Sequence, residues 1–413
     1  MRILSLQSGT SADGIDVAVA EVDALDDSDA PVVALRPLLA RTVPWSAALH
    51  ARLLAAVAGE SMTPAEFCEL DTLAGQEFAA VAARAAADLP GGVDLAVSHG
   101  QTLYHWVADG HARGTLQIGE ASWIAEALDR PVLSNVRSAD IAAGGEGAPL
   151  MGLFDRAWLS GAAEAEDRPI ATVNLGGIAN VQVVSPPSID GAGGGLVAFD
   201  SGPANALIDA AVARATDGRE SRDTDGMLAS AGRVDDRVLA ELLAHPYFIA
   251  APPKSTGRET FHLGVVDAAV AAAGTHPSLP DLVATLTALT ARTVADAVRS
   301  ATPVVPSRVI VSGGGVHNPA MLRALTAVLA LHGIAVSTSD EWGIAADDKE
   351  SLLFALVGFL SWHGIPAALP GTPAGRARVL GQFTITPGTT LGRRLTGIAG
   401  LRLAGDLMKA ATP

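Results

Sequence analysis

The sequence predicts an α/β protein built from two similar domains, and three observations carry that prediction. The chain opens with a short apolar strand, a tight polar turn and a returning strand at 2–22. A second strand, glycine turn and strand follows at 170–184, one domain's length later. Each copy leads into segments of helical period, so a strand-rich unit is duplicated and the two units are expected to face one another. A chain of 413 residues is too long for one ordinary core, and 49% apolar residues against 17% charged supply enough material for two.

Residues 2–7 read as a buried strand, Ser8 to Gly14 as the turn, and 16–22 as the returning strand. Helical periodicity predicts helices over 64–89, 121–128, 204–215, 281–300, 319–331 and 349–362, and Asn318 before Pro319 is a side-chain cap followed by a first-turn proline. Clusters of Pro, Gly and Asp predict loops at 26–31, 185–195 and 366–375, the middle one a surface excursion that interrupts the second hairpin. The domain change is placed near Pro131. That gives domains at 1–131 and 132–388, with 389–413 a tail assigned to neither.

A net charge of -16, from 28 basic and 44 acidic residues, opposes binding to nucleic acid backbones or anionic lipid. The single cysteine, Cys68, excludes an internal disulfide and a cysteine-rich zinc site, and its amphipathic surroundings predict a buried thiol. One Arg and a short apolar run ending at Gln7 match neither a secretory segment nor a membrane span, and charges break the alanine-rich stretches before ~18 residues. A cytoplasmic protein is expected.

Three glycine-rich segments are candidates for holding phosphate. In Gly9, Thr10, Ser11, Ala12, Asp13, Gly14, Ile15 and Asp16, backbone N–H groups can approach an anion, two hydroxyls can donate to it, and Asp13 or Asp16 could orient a hydrated Mg²⁺. A hairpin turn without ligand uses the same residues. The turn around Asn174, Gly176 and Gly177 offers a second surface of this type. The third runs from an apolar strand at 309–312 through Gly313, Gly314 and Gly315 to Asn318, where flat backbone admits a purine and the helix start favours negative charge; a tight strand-to-helix connection is the alternative. Spacing excludes a Walker A loop and a dinucleotide fingerprint. Asp200, at an expected strand end with Gly202 and Pro203 after it, could hold a metal, order a water on it, or cap a helix.

Taken in order, these segments resemble the two phosphate motifs and the adenosine motif shared by actin, hexokinase and the heat-shock ATPases. The likeness narrows further. Ser8 to Asp16, Ser98-His-Gly-Gln-Thr102, Leu116-Gln-Ile-Gly119, Asp140-Ile-Ala-Ala-Gly-Gly-Glu-Gly-Ala-Pro-Leu150, Asn174 to Asn180, Pro253 to Glu259 and Gly313 to Pro319 resemble the anhydro-N-acetylmuramic acid kinases, over residues 4–388. Gln7, Ser201 and Ala204 stand where that family more often has Met, Thr and Gly.

The resemblance implies two ribonuclease H-like domains of the actin and hexokinase-like fold flanking a cleft for ATP and sugar. It implies a kinase of peptidoglycan recycling that uses ATP and Mg²⁺. Water opens the anhydro bridge of 1,6-anhydro-N-acetylmuramic acid while O6 is phosphorylated, giving N-acetylmuramic acid 6-phosphate and ADP. The family's catalytic aspartate falls on Asp140, and a carboxylate near its ordinary pKa can accept the proton of the attacking water. His99, Gln101, Thr102 and Arg137 supply donors for the sugar, the Arg suiting its lactyl carboxylate, and Glu350 is a further candidate for that pocket. Lys254 meets a phosphate or structures a loop. A homodimer is implied as well. Two other readings are a kinase of an ordinary sugar hydroxyl and a nucleotide-dependent regulator without turnover; Asp140 argues against the second.

Overall fold

The apolar run after Arg2 makes the middle of a sheet. The structure, a computed structural model, describes residues 1–9, 12, 14–190, 195–252, 254–257, 259–345 and 349–403. Strand Arg2–Ser8 (β1) is buried beyond its first residue, as a strand covered on both faces must be. It pairs antiparallel with Ile15–Ala24 (β2), which pairs antiparallel with Val32–Val43 (β3). On its other side β1 runs parallel to Leu95–Ala108 (β4). His111–Ile118 (β5) folds back on the second half of β4, and Val132–Ser134 (β6) lies parallel to its first half.

A second sheet repeats the plan. Ile170–Leu175 (β7), Ile178–Ser185 (β8) and Gly195–Pro203 (β9) form an antiparallel meander. Arg308–Ser312 (β10) then runs parallel to β7, and Ala335–Thr338 (β11) parallel to β10. The order β3-β2-β1-β4-β6 in the first sheet matches β9-β8-β7-β10-β11 in the second, so the ribonuclease H-like arrangement occurs twice. Gln382–Thr384 (β12) and Gly400–Leu403 (β13) add to the first sheet at β6 and β3.

The chain divides elsewhere than near Pro131. One unit comprises Met1–Trp158 and Asp348–Pro413, the other Leu159–Asp347. Pairing explains the difference: β6 joins β4, β12 joins β6 and β13 joins β3, so residues after 131 and near the C-terminus complete the first sheet. Asp140 and Glu350 therefore belong to the first unit, not the second. Through β13 the tail from 389 to 403 does too, while 404–413 lie outside the described residues. The segment at 185–195 joins β8 to β9 and leaves the β7–β8 hairpin intact.

Alternation along β1 separates two packed faces. Leu4 and Leu6 join a core with Phe78, Ala74 and Leu70 from helix Pro64–Ala87. That helix starts with a capping box, Thr63 accepting from Glu66 N at 3.2 Å and Glu66 from Thr63 N at 2.7 Å. Cys68 lies off its buried stripe and is exposed, against the expected buried thiol. Ile3 faces the other way, toward Gly358 of helix Lys349–Trp362, whose Leu352, Phe354, Leu356 and Phe359 are all buried. In the second unit Val173, Leu175, Val181 and Val183 pack with helices Leu279–Ser300 and Pro319–Ala330. Among the described residues no helix is long and apolar enough to cross a membrane.

Candidate active site

Asp140 is the third residue of the short helix Ser138–Ala142 and is only 1% exposed. A carboxylate that deep in a protein needs donors. Oδ2 accepts from Gly147 N at 2.8 Å and Oδ1 from Thr372 Oγ1 at 2.5 Å. The polypeptide wraps closely around it: a Cβ at Gly145 would lie 2.6 Å from the Asp140 Cγ and collide with the carboxylate oxygens. Gly145→Ala is therefore expected to displace the carboxylate and lower turnover about 10²-fold without preventing folding. Steady-state kinetics beside a melting curve checks this, and wild-type turnover would contradict it.

Arg137, at the N-cap of the same helix, ties this loop to β4. Its Nε donates to His99 Nε2 at 2.9 Å and its Nη1 to the Gly147 carbonyl at 2.8 Å. Because a guanidinium only donates, His99 Nε2 accepts and the imidazole proton belongs on Nδ1, which lies 3.4 Å from the Gly100 carbonyl. Burial, then the Arg137 charge, pushes the His99 pKa down from 6.5 to about 3. Burial also brings Arg137 down to about 10, against the attraction of Glu350.

The folded His99 thus binds its second proton more weakly than the unfolded chain does. Its contribution to stability is complete above pH 6.5 and is lost as pH falls from there toward about 3. His99→Gln is expected to flatten the acid side of a plot of unfolding free energy against pH. An unaltered slope would contradict a buried neutral imidazole.

Gln101 is wholly buried, its Nε2 donating to the carbonyls of Gly9 at 2.9 Å and Thr102 at 3.0 Å. Its Oε1 has no hydrogen-bond partner among the described residues, and such an orphaned acceptor is costly unless a ligand donates to it. Glu350 Oε2 accepts from Gln7 Nε2 at 3.3 Å. Thr102 Oγ1 accepts from Gln117 Nε2 at 3.4 Å. The structure thus joins Asp140, Arg137 and His99 in one hydrogen-bonded chain. Gln101 is tied to the first glycine turn, and Glu350 to Gln7 at the end of β1. Neither Thr372 nor Gln7 had a role assigned from the sequence, Gln7 standing out only where the family more often has Met. The only signal for Thr372 was its glycine-flanked setting, Gly371 to Gly375.

Of the first phosphate segment, Thr10, Ser11 and Asp13 lie outside the described residues. Gly9 O accepts from Ala12 N at 3.0 Å, Ala12 and Ile15 are buried, and Gly14 abuts Thr42 and Val43 of β3. Asp16 is half-buried, with Oδ1 accepting from Thr42 Oγ1 at 2.6 Å.

In the second unit, the carbonyls of the Gly176–Gly177 turn are fixed by the start of helix Asn205–Ala215. Asn205 Nδ2 donates to Leu175 O and Gly176 O at 2.9 Å each, and Ala204 N to Gly177 O at 2.9 Å. Gly313 has φ +81° and sits where any Cβ would strike Asn174 Oδ1, so the glycine run and the turn lie side by side. Gly314 and Gly315 continue into a 3-10 turn, and Asn318 caps the next helix through Ala320 N and Met321 N at 3.0 and 3.1 Å.

Asp200 lies inside β9 rather than at a strand end. The strand continues to Pro203, and both carboxylate oxygens are engaged: Oδ1 by Asn180 Nδ2, Oδ2 by Ser255 Oγ at 3.0 Å and Thr256 N at 2.9 Å. Gly202 packs against the Phe248 ring. Lys254 donates to the Tyr247 and Phe248 carbonyls and lies 4.7 Å from the Tyr247 ring centre, which organises its loop.

The family model for anhydro-N-acetylmuramic acid kinase matches residues 1–386. The chain is 45% identical over 401 residues to the enzyme of that name from Rhodococcus erythropolis, covering 96% of this chain and 97% of the relative. It is 46% identical over 390 residues to the one from Streptomyces coelicolor, covering 94% of each. Among solved structures, the ROK hexokinase from Thermus thermophilus covers 87% of this chain and 98% of its own at 14% identity and a TM-score of 0.35, an overlap too loose to bear on function.

Proposed function

The chain belongs to the anhydro-N-acetylmuramic acid kinase family, and from that premise we propose that it opens the anhydro bridge of 1,6-anhydro-N-acetylmuramic acid with water while ATP phosphorylates O6. The observation that carries the assignment is the Asp140 carboxylate, buried, held by two donors and linked through Gly147 to Arg137 and His99. Asp140 takes a proton from water as its oxygen bonds to the anomeric carbon. The bond from that carbon to O6 breaks, and O6 takes the γ-phosphoryl group as the bond to ADP breaks. The products are N-acetylmuramic acid 6-phosphate and ADP, as peptidoglycan recycling requires.

On this reading the Gln101 Oε1 accepts from a sugar hydroxyl or the N-acetyl N–H, and Arg137 pairs with the lactyl carboxylate. His99, Thr102 and Glu350 complete the sugar-binding set. Residues 9–16, the turn at Asn174, Gly176 and Gly177, Asp200 with Gly202, and the run Gly313, Gly314, Gly315 with Asn318 serve the nucleotide.

Mg²⁺ takes oxygen ligands, retains waters and needs one or two carboxylates beside the phosphates. Asp16, with one oxygen engaged by Thr42, fits that demand, while Asp200 fits through water because both its oxygens already accept. Bound with ATP, the ion would supply charge neutralisation on the phosphates. A homodimer in the cytoplasm completes the proposal, on the family resemblance.

Purified protein, Mg-ATP and the anhydro sugar should yield ADP and a sugar carrying phosphate at O6. Sugar left unconsumed while nucleotide binds would overturn the proposal.

A further inference from the structure

We propose that Thr372 is a positioning residue that fixes the Asp140 carboxylate in its reactive orientation, an inference that rests on reading Asp140 as the base. The hydroxyl has a defined direction. Leu369 N donates to Thr372 Oγ1 at 2.8 Å, so the hydroxyl proton is left to point at Asp140 Oδ1, 2.5 Å away. An N–H, an O–H and a carboxylate in series polarise one another, and the bond reaching the charge is of the strong, charge-assisted kind.

With Gly147 N on Oδ2, each carboxylate oxygen carries one donor and each donor comes from a different segment, Thr372 from 232 residues further along the chain. The two segments also touch elsewhere: a Cβ on Gly144 would lie 3.5 Å from Pro373, and one on Gly371 would lie 3.3 Å from Glu146 Cγ. Two anchors, one on each oxygen, fix the plane of a carboxylate where one would let it rotate. The lone pairs they leave free are those available to a water.

The other charged and titratable groups around this site are Arg137 on the aspartate's own helix, Glu146 in the loop after it, His99 and His105 on β4, His111 on β5 against Glu146, and Glu350 on helix Lys349–Trp362. Substitution of Thr372 removes none of them, so a change in turnover belongs to the lost hydroxyl.

The test is the split between kcat and KM with the anhydro sugar at one fixed pH. Thr372→Val should lower kcat about ten-fold, leaving KM for ATP unchanged. Thr372→Ser, which keeps the hydroxyl, should restore kcat. Thr372→Ala carries the same expectation as the valine variant should that one fold poorly. Wild-type kcat in Thr372→Val and Thr372→Ala, with Asp140→Asn inactive, would overturn the role of Thr372 and spare the base. Full turnover by Asp140→Asn would overturn both.

Discussion

Asp140→Asn is expected to reduce turnover of the anhydro sugar by about 10²- to 10⁴-fold, the range a general base supplies. The amide has the shape of the carboxylate and its oxygen can still accept from Gly147 N or Thr372 Oγ1, the two contacts that hold the native group. What it cannot do is take a proton from water. ATP affinity should stay within about two-fold, because the residues assigned to the nucleotide are others. Titration of ATP into the variant, alongside single-turnover kinetics, separates the two quantities. Equal loss of binding and turnover would mean that the substitution disturbed the fold rather than the chemistry.

The second large effect concerns stability. Lys349 Nζ lies 2.7 Å from Asp155 Oδ1, with side-chain exposures of 6% and 0%, and 5.7 Å from the centre of the Trp158 ring. Lys349→Met deprives a fully buried carboxylate of its ammonium partner, and removing one member of such a pair destabilises by about 3–5 kcal/mol. Lys349→Met with Asp155→Leu should recover most of that loss, since no buried charge then lacks its counterpart. Urea unfolding of both variants decides the matter, and a single-variant effect below about 1 kcal/mol would place the pair among those that contribute little.

Much of the fold was legible because its signals are local. Apolar runs on either side of a glycine turn marked β1–β2 and β7–β8, and the predicted helix at 349–362 coincides with Lys349–Trp362. The division of the chain was not legible. It depends on β6, β12 and β13, strands of three or four residues too short to carry a period, whose identity comes only from partners far away in sequence. Helices Asp236–Leu243 and Leu263–Ala273 also went unassigned: the second is alanine-rich with weak contrast between its faces, while the first is amphipathic but only eight residues long.

The candidate site shows the same limit. Asp140 and its glycine loop form one contiguous motif, so a resemblance could point to them, and the glycine runs could be read for what flat backbone permits. The contacts of Thr372 with the Asp140 carboxylate and of Gln7 with Glu350 could not be read locally, because each is created by folding distant segments together. Asp200 was misplaced for a related reason: its carboxylate serves Asn180, Ser255 and Thr256, three donors that only the folded chain gathers.

The central claim is that a water activated by Asp140, and not a sugar hydroxyl, attacks while the phosphoryl group moves. Turnover of the anhydro sugar with Mg-ATP in ¹⁸O-enriched water, quenched early, tests it directly. One heavy oxygen on the anomeric carbon of a product phosphorylated at O6, with none in the phosphate, is the expected result. A phosphorylated sugar without the label, its bridge intact, would contradict the account.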